Sequence, residues 1–256
     1  MAAAWHLDNG PSEFFSHWLS GAISGDFGNS WRVATGIPVW ELIVESVPNT
    51  AKVVGIAMLP LLLSSGLVAF DKLSERLDVL WRAIGIMPAV IFALVCTAYV
   101  QVTYGAASLT GFPNALRIVL AGLVLGTADG ALSGAVQGAR QTFGEERKAR
   151  YVQISVLRGE SFLQNTLPNV LPALTGQFRA RVLHLLSGAV IVEVVMQVEG
   201  LGDLLWQGTL RQDFAVVLAA AFGFSLLSGG LMLAQALIEI GVAMQVRRSP
   251  VSSAAC

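Results

Sequence analysis

Charge is what this sequence has least of. Only 13% of its 256 residues are Asp, Glu, Lys or Arg, while 54% are hydrophobic; soluble domains carry about 25% charged residues. Mean hydropathy is +0.65, and the net charge of −1 excludes a nucleic-acid partner held by bulk electrostatics. Cysteine is nearly absent. Cys96 and Cys256 are too few and too far apart for a disulfide framework or a thiolate metal site, and Cys96, inside an apolar run, reads as a small packed residue. The three histidines, His6, His17 and His184, do not cluster at ligand spacing, so no metal site is expected. There is no H-E-x-x-H, no G-x-S-x-G and no phosphate-binding loop, which leaves any ATP chemistry to another chain. "MAAAWHLDNG" lacks the basic and apolar regions of a secretory signal, and "SSAAC" places its cysteine last rather than fourth from the end, so no lipid anchor is expected. What remains is a membrane protein.

Crossing the hydrocarbon takes about 20 apolar residues in a helix. Five stretches approach that length: 53–70, 83–102, 118–136, 182–198 and 214–238. The fourth is the weakest, because His184 and Glu193 interrupt it. The fold class expected is an all-α polytopic bundle of about five transmembrane helices. Basic residues orient it. Twelve of the 16 Lys and Arg fall on one side: Lys72, Arg76 and Arg82, the run from Arg140 to Arg181, and Arg247 with Arg248. Arg32, Lys52, Arg117 and Arg211 fall on the other. The 140–181 loop and the C-terminus are therefore expected in the cytoplasm and residues 1–50 outside; the loop reads as charged helix broken at Gly159, Pro168 and Pro172. Within that outer segment, "SEFFSHWLSGAI" places Phe14, Phe15, Trp18, Leu19 and Ile23 on one helical face. "PVWELIVES" reads as a second short amphipathic turn ending at Pro48, and both suit the outer membrane interface. The division expected is 1–50, 51–248 and a tail at 249–256.

The third stretch carries "GLVLGTADGALSGAVQG", with Gly122, Gly126, Gly130, Gly134 and Gly138 every fourth residue. Glycine costs a soluble helix roughly 1 kcal/mol relative to alanine. In lipid, a bare helical face lets backbones approach closely, as in small-xxx-small crossings. These five glycines are the expected packing face. Alongside run Asp129, Ser133 and Gln137, also four apart; such polar groups face protein or water rather than lipid. Asp129 alternatively pairs with a buried partner. Glu193, near the outer end of its span, either has a role inside the protein or snorkels to the outer surface.

Two strings imitate catalytic motifs. "GDFG" at 25–28 lacks every other kinase element. "GLGD" at 200–203 matches the string of intramembrane aspartyl proteases, but Asp203 follows the fourth span while Asp129 lies inside the third. An intramembrane aspartyl-type hydrolase and a non-transporting membrane assembly protein are the alternatives to the reading below.

Four pieces in order carry a family likeness: "LSGAISGDFGNSWR", "VWELIVESVPNTAKVV", "ARYVQISVLRGESFLQNTLPNVLPAL" and "AVIVEVVMQVEGLGDLLWQGTLRQDFAVVLAA". The chain resembles the permease subunits of binding-protein-dependent ABC importers, in the dipeptide, oligopeptide and nickel group, from about residue 17 to 248. The resemblance implies a subunit without catalysis of its own in a bacterial inner membrane. Its implied partners are two ATP-binding cassette subunits that hold ATP and Mg, a second permease subunit, sister or identical, and an extracytoplasmic solute-binding protein. It also implies that Tyr151, Gln153, Ile154, Ser155, Arg158, Gly159, Leu171 and Pro172 form the loop that seats on the ATPase. Arg147, Lys148 and Arg150 offer further charged contacts there. Gln153, Ile154 and Ser155 stand where the family has Glu-Ala-Ala, and Glu199 replaces the proline before Gly200. The family's first helix has no counterpart ahead of residue 53, an expectation of five spans for six. The resemblance further implies a translocation path edged by Asp129, Ser133 and Gln137, with Glu193 as a gate or dimer-interface residue. Peptide is the expected cargo class.

Overall fold

The computed structural model describes residues 10–70, 78–105, 111–159 and 162–248. Lys72 and Arg76 of the charge asymmetry, the first nine residues and the 249–256 tail lie outside the described residues. Among those described there are ten helices: α1 Pro11–Ile23, α2 Val39–Ala69, α3 Asp78–Ile86, α4 Ala89–Tyr104, α5 Asn114–Thr127, α6 Ala131–Arg147, α7 Arg150–Leu157, α8 Phe162–Met196, α9 Leu201–Leu210 and α10 Phe214–Arg248. Only α2 and α10 are long and apolar enough to cross a membrane alone. Three bent pairs bring the total to five when each counts as one span: α3 with α4 at 87°, α5 with α6 at 50°, and α8 with α9 at 70°. The chain is an all-α polytopic membrane protein.

Proline sets several helix starts. Pro38, Pro88 and Pro113 immediately precede α2, α4 and α5, each with ψ between 130° and 139°. A fixed φ near −65° and an extended ψ bring the chain in from outside the helix, where no amide donor is required. Pro48 and Pro60 act differently. Both lie inside α2, which runs unbroken from Val39 to Ala69. The expected short turn at 38–46 and the expected first span are one helix, and the boundary drawn at residue 50 falls inside it. Burial explains the continuity: Val39, Ile43, Ser46, Thr50, Val53, Val54, Ala57 and Leu61 follow helical spacing along one buried face. That packing overrides the proline cost, as membrane helices tolerate.

A second correction concerns the segment after α7. Breaks were expected at Gly159, Pro168 and Pro172. Gly159, with φ of 78°, does follow the end of α7, but α8 runs through both prolines. Its buried Val170 and Leu174 pack with Val68, Ala69, Val136, Ala139 and Phe143. This cluster ties the end of α2, the middle of α6 and the first half of α8 into one unit.

The central core joins α2, α4, α5 and α8 through residues such as Val53, Leu61, Ala93, Val124, Leu185 and Val192. A third cluster gathers Trp18 and Phe27 with Val39, Ile43, Leu201, Leu204 and Val216, so the N-terminal segment is built into the fold. Helix α10 is strongly apolar from Phe214 to Gly241, and its Leu226, Leu233, Leu237 and Ile238 stay uncovered by protein. Such a helix belongs in lipid.

Candidate functional site

Three constructions hold the residues singled out by the sequence: an elbow between α8 and α9, a kink between α5 and α6, and the arm formed by α7. The elbow is the most tightly specified. Helix α8 ends at Met196, and Gln197 adopts φ of 54° before the chain turns into α9. The first amides of a helix have no partner within it, and the N-cap here, Gly200, has no side chain to offer. Other elements supply the acceptors. Glu193 Oε2 accepts the Gly202 N–H at 2.7 Å, and Thr50 Oγ1 of α2 accepts the Leu201 N–H at 2.8 Å. Both side chains are fully buried. Glu193 therefore does not snorkel; its carboxylate sits at the positive end of α9, where negative charge is favoured.

The glycines of "GLG" follow from this arrangement. A Cβ on Gly200 would collide with the Glu193 carboxyl group, and one on Gly202 would stand 2.5 Å from Val190 Cα. Only bare backbone lets α9 fold back onto α8 this closely. Two further residues grip the turn. Arg117, buried in the first turn of α5, donates to the Gln197 carbonyl and lies 3.6 Å from the Glu199 carboxylate. Asn49 Nδ2 donates to the Glu199 carbonyl at 2.8 Å. Glu199 is largely exposed, so the ion pair itself contributes at most about 1 kcal/mol; the bond to the carbonyl is what positions Arg117.

Next to the elbow, a clasp joins two of the motif pieces. Asp213, in the turn between α9 and α10, offers one oxygen to four donors. They are the Ser30 hydroxyl (2.7 Å) and the amides of Trp31 (2.8 Å), Arg32 (2.9 Å) and Val33 (3.2 Å). Arg211 Nη1 donates to the carbonyls of Arg32 and Val33, and Arg32 Nη1 returns bonds to the Arg211 carbonyl and the Gln212 side chain. Burial alone would raise the Asp213 carboxyl. The donations from Arg32, Ser30, Trp31 and Val33 outweigh it and hold the group below the ordinary carboxylate range.

At the kink the glycine row divides. Helix α5 stops at Thr127, and Ala128 is extended. Asp129 and Gly130 then take φ of 50° and 72° before α6 begins. The row therefore lies on two helices rather than one. A Cβ on Gly122 would approach Ile56 Cβ to 2.7 Å and Val53 O to 2.9 Å. One on Gly126 would meet the Ala57 carbonyl and come within 2.8 Å of Pro60 Cγ. These two pack α5 against α2. Gly134 and Gly138 instead lie under the side chains of Arg181 and Gln177 from α8, while Gly130 has no close neighbour and serves the turn. Alanine at Gly126 is expected to destabilise the chain by about 1–3 kcal/mol, since rigid backbone must move. Alanine at Gly144, where the space is open, is expected to leave the thermal midpoint in detergent unchanged.

The polar row divides as well. Asp129 is exposed at the break; its N–H donates to the Met87 carbonyl at 3.0 Å, and its own carbonyl is 3.2 Å from His184 Nε2. Ser133 is buried against Gly85 of α3, and Gln137 is exposed. With the helix interrupted at 128–130, Asp129 does not continue the regular track of Ser133 and Gln137. Asp203 lies past the elbow, in the first turn of α9, and Gln207 donates to it at 3.4 Å.

The arm is helix α7. Val152 and Ser155 are buried, and the Ser155 hydroxyl donates to the Val152 carbonyl at 2.9 Å. Tyr151, Gln153, Ile154, Val156, Leu157 and Arg158 face outward, with the Tyr151 hydroxyl bonded to Glu146. Leu171, half-buried, and Pro172, exposed, belong to α8 rather than to the arm itself. An outward face that joins Ile154, Val156 and Leu157 to Arg158 has the composition of a contact surface.

Thr50, Asn49, Arg117, Ser30 and Asp213 were not singled out from the sequence, and Gly202 stood out only as part of the GLGD string. Arg117 alone of the five left a signal, as an isolated cation opening an apolar span. The others needed the fold, since their partners lie up to 183 residues away.

Residues 57–243 match the family described as "Binding-protein-dependent transport system inner membrane component". The chain is 25% identical over 225 residues to the oligopeptide transport system permease protein AppB of Bacillus subtilis, covering 79% of this chain and 70% of that one. It is 24% identical over 215 residues to the metal-staphylopine import system permease protein CntB of Staphylococcus aureus, covering 80% and 68%. It is 25% identical over 223 residues to the glutathione transport system permease protein GsiC of Shigella boydii, covering 83% and 72%. These matches do not favour the hydrolase alternative. The chain belongs to the family of binding-protein-dependent transport system inner membrane components, as a multi-pass permease.

Proposed function

We propose that this chain forms half of the translocation path of an ATP-driven importer for peptides or a related small solute. ATP and Mg are bound by two separate ATPase subunits, the other half of the path is a sister or identical permease, and an extracytoplasmic binding protein delivers the cargo. The N-terminal segment and the elbow face outward, while α7 and the C-terminus face the cytoplasm, in line with the basic-residue asymmetry. No chemistry on ATP is assigned to this chain.

The observation that carries this reading is the arm. Helix α7 holds Val152 and Ser155 inward, and its Ile154 and Leu157 are 43% and 87% exposed. A short helix whose apolar residues point away from its own bundle fits the groove of a moving ATPase. Glycine 159 separates it from α8, so a push on the arm reaches the kink and elbow through one long rigid helix. Asp129, uncovered at the kink, then faces water or the second permease rather than lipid. Glu193 acts as an elbow-positioning residue at the outer end.

Ile154→Asp with Leu157→Asp is expected to abolish co-purification of the ATPase with the tagged chain, while its amount in the membrane stays unchanged. ATPase retained at wild-type stoichiometry by this variant would overturn the docking assignment.

A further inference from the structure

A helix that breaks inside a membrane frees backbone groups that the next turn would have paired, and lipid offers them no partner. The break at 128–130 does this to Asp129. In an unbroken helix its N–H would reach the Leu125 carbonyl, and its own carbonyl would accept the Ser133 amide. Here the Asp129 N–H donates to the Met87 carbonyl at 3.0 Å, and the Asp129 carbonyl lies 3.2 Å from His184 Nε2. A carbonyl only accepts, so this bond requires the hydrogen of the imidazole to be on Nε2.

The two partners come from different parts of the bundle. Met87 stands in the 87° bend between α3 and α4, so two bent spans meet at Asp129. Their contact is close: a Cβ on Gly85 would collide with Ser133 Oγ and fall 2.9 Å from Ser133 Cβ. His184 belongs to α8, about six turns from its start, between Val182 and Leu185 of the central core. Helix α8 is also the one that follows the arm. Asp129 and Gly130, both at positive φ, stand at the junction of two helices, where hinges absorb a change of angle.

We propose that His184 is a positioning residue through which α8 sets the angle of the α5–α6 kink, and with it the bend between α3 and α4. A shift of α8 draws Nε2 away from the Asp129 carbonyl, leaves that oxygen unpaired and frees the kink to change angle. The source of the shift, a push on the arm, rests on the proposed import function. The fastening of the kink by His184 does not.

The fastening is read on the full chain in lipid nanodiscs, by amide hydrogen exchange. His184→Ala is expected to speed exchange at residues 128–131 at least tenfold, because the Asp129 N–H loses its fixed geometry. Exchange at 201–204, where Glu193 and Thr50 hold the elbow amides, is expected to match the wild type. His184→Gln, whose side-chain amide carries an N–H at a similar reach, is expected to restore protection. Unchanged exchange at 128–131 in His184→Ala, equal acceleration at 201–204, or no recovery in His184→Gln overturns the fastening. The coupling is read on the complex purified with its ATPase. Adding ATP with orthovanadate is expected to change exchange at 128–131 severalfold in the wild type and to make no further difference in His184→Ala. No response in the wild type, or an equal response in His184→Ala, overturns the coupling role. Loss of the ATPase from the wild-type complex counts against the import reading instead, and exchange on the chain alone still decides the fastening.

Discussion

Gly202→Ala is expected to reduce uptake at least tenfold and to lower the thermal midpoint of the purified chain well below that of the wild type. The added Cβ would stand 2.5 Å from Val190 Cα and 2.8 Å from Glu193 Oε2. Neither neighbour is the free end of a flexible chain, since Val190 Cα is helix backbone and the Glu193 carboxylate is held by the bond it accepts. Helix α9 must therefore lift away from α8, which lengthens the 2.7 Å bond to Glu193 and the bond from Leu201 to Thr50. Overpacking of this kind costs about 1–3 kcal/mol, and leaving a buried carboxylate without its donor adds a similar amount. Gly230→Ala, in open space on α10, serves as the control and is expected to behave as wild type. Glu193→Gln keeps a carbonyl acceptor for the Gly202 amide and is expected to be much milder than Glu193→Ala. Equal melting of Gly202→Ala and Gly230→Ala would show that the elbow does not constrain the fold.

Asp213→Ala is the second large effect. One carboxylate oxygen gathers a hydroxyl and three consecutive amides from residues 30–33. Removing it leaves Ser30, which is buried, without its acceptor. The expected loss is about 2–3 kcal/mol, seen as faster amide hydrogen exchange confined to residues 28–36. Asp213→Asn keeps an oxygen but loses the charge and is expected to fall between. The sign of the pH dependence follows from the lowered carboxyl. Its stabilisation is complete above the ordinary aspartate value of about 3.9 and is lost as pH falls through the lower folded value. Exchange protection in residues 30–33 should thus persist at a pH where a free aspartate is already half protonated. Loss of protection well above that pH would contradict the clasp.

The motifs of the sequence and the geometry meet unevenly. Hydropathy located all five crossing regions, because an apolar run of spanning length leaves few alternatives. It did not reveal that three of them bend, since the bends depend on single residues. Asp129 in the α5–α6 bend and Gln197 in the α8–α9 bend take positive φ, a conformation that nothing in their side chains announces. Pro48, Pro168 and Pro172 misled in the opposite direction; tertiary burial keeps their helices whole. The glycine row was legible as a packing feature, but its division between α2 and α8 follows from the kink at residue 130. The G-L-G string stood out as a motif, while its cause, a glutamate seven residues before the first glycine and a threonine on α2, required the fold. Asp213 and Ser30 sat within quoted motifs, yet their pairing spans 183 positions.

The central claim, a permease driven by ATPases through α7, is tested most directly in proteoliposomes. The complex would be purified through a tag on this chain and supplied with its binding protein and a labelled mixture of short peptides, glutathione and metallophore complexes. The account predicts accumulation of at least one labelled component that requires ATP and disappears in the Ile154→Asp, Leu157→Asp variant. Accumulation that proceeds without ATP, or that this variant sustains at the wild-type rate, would contradict it.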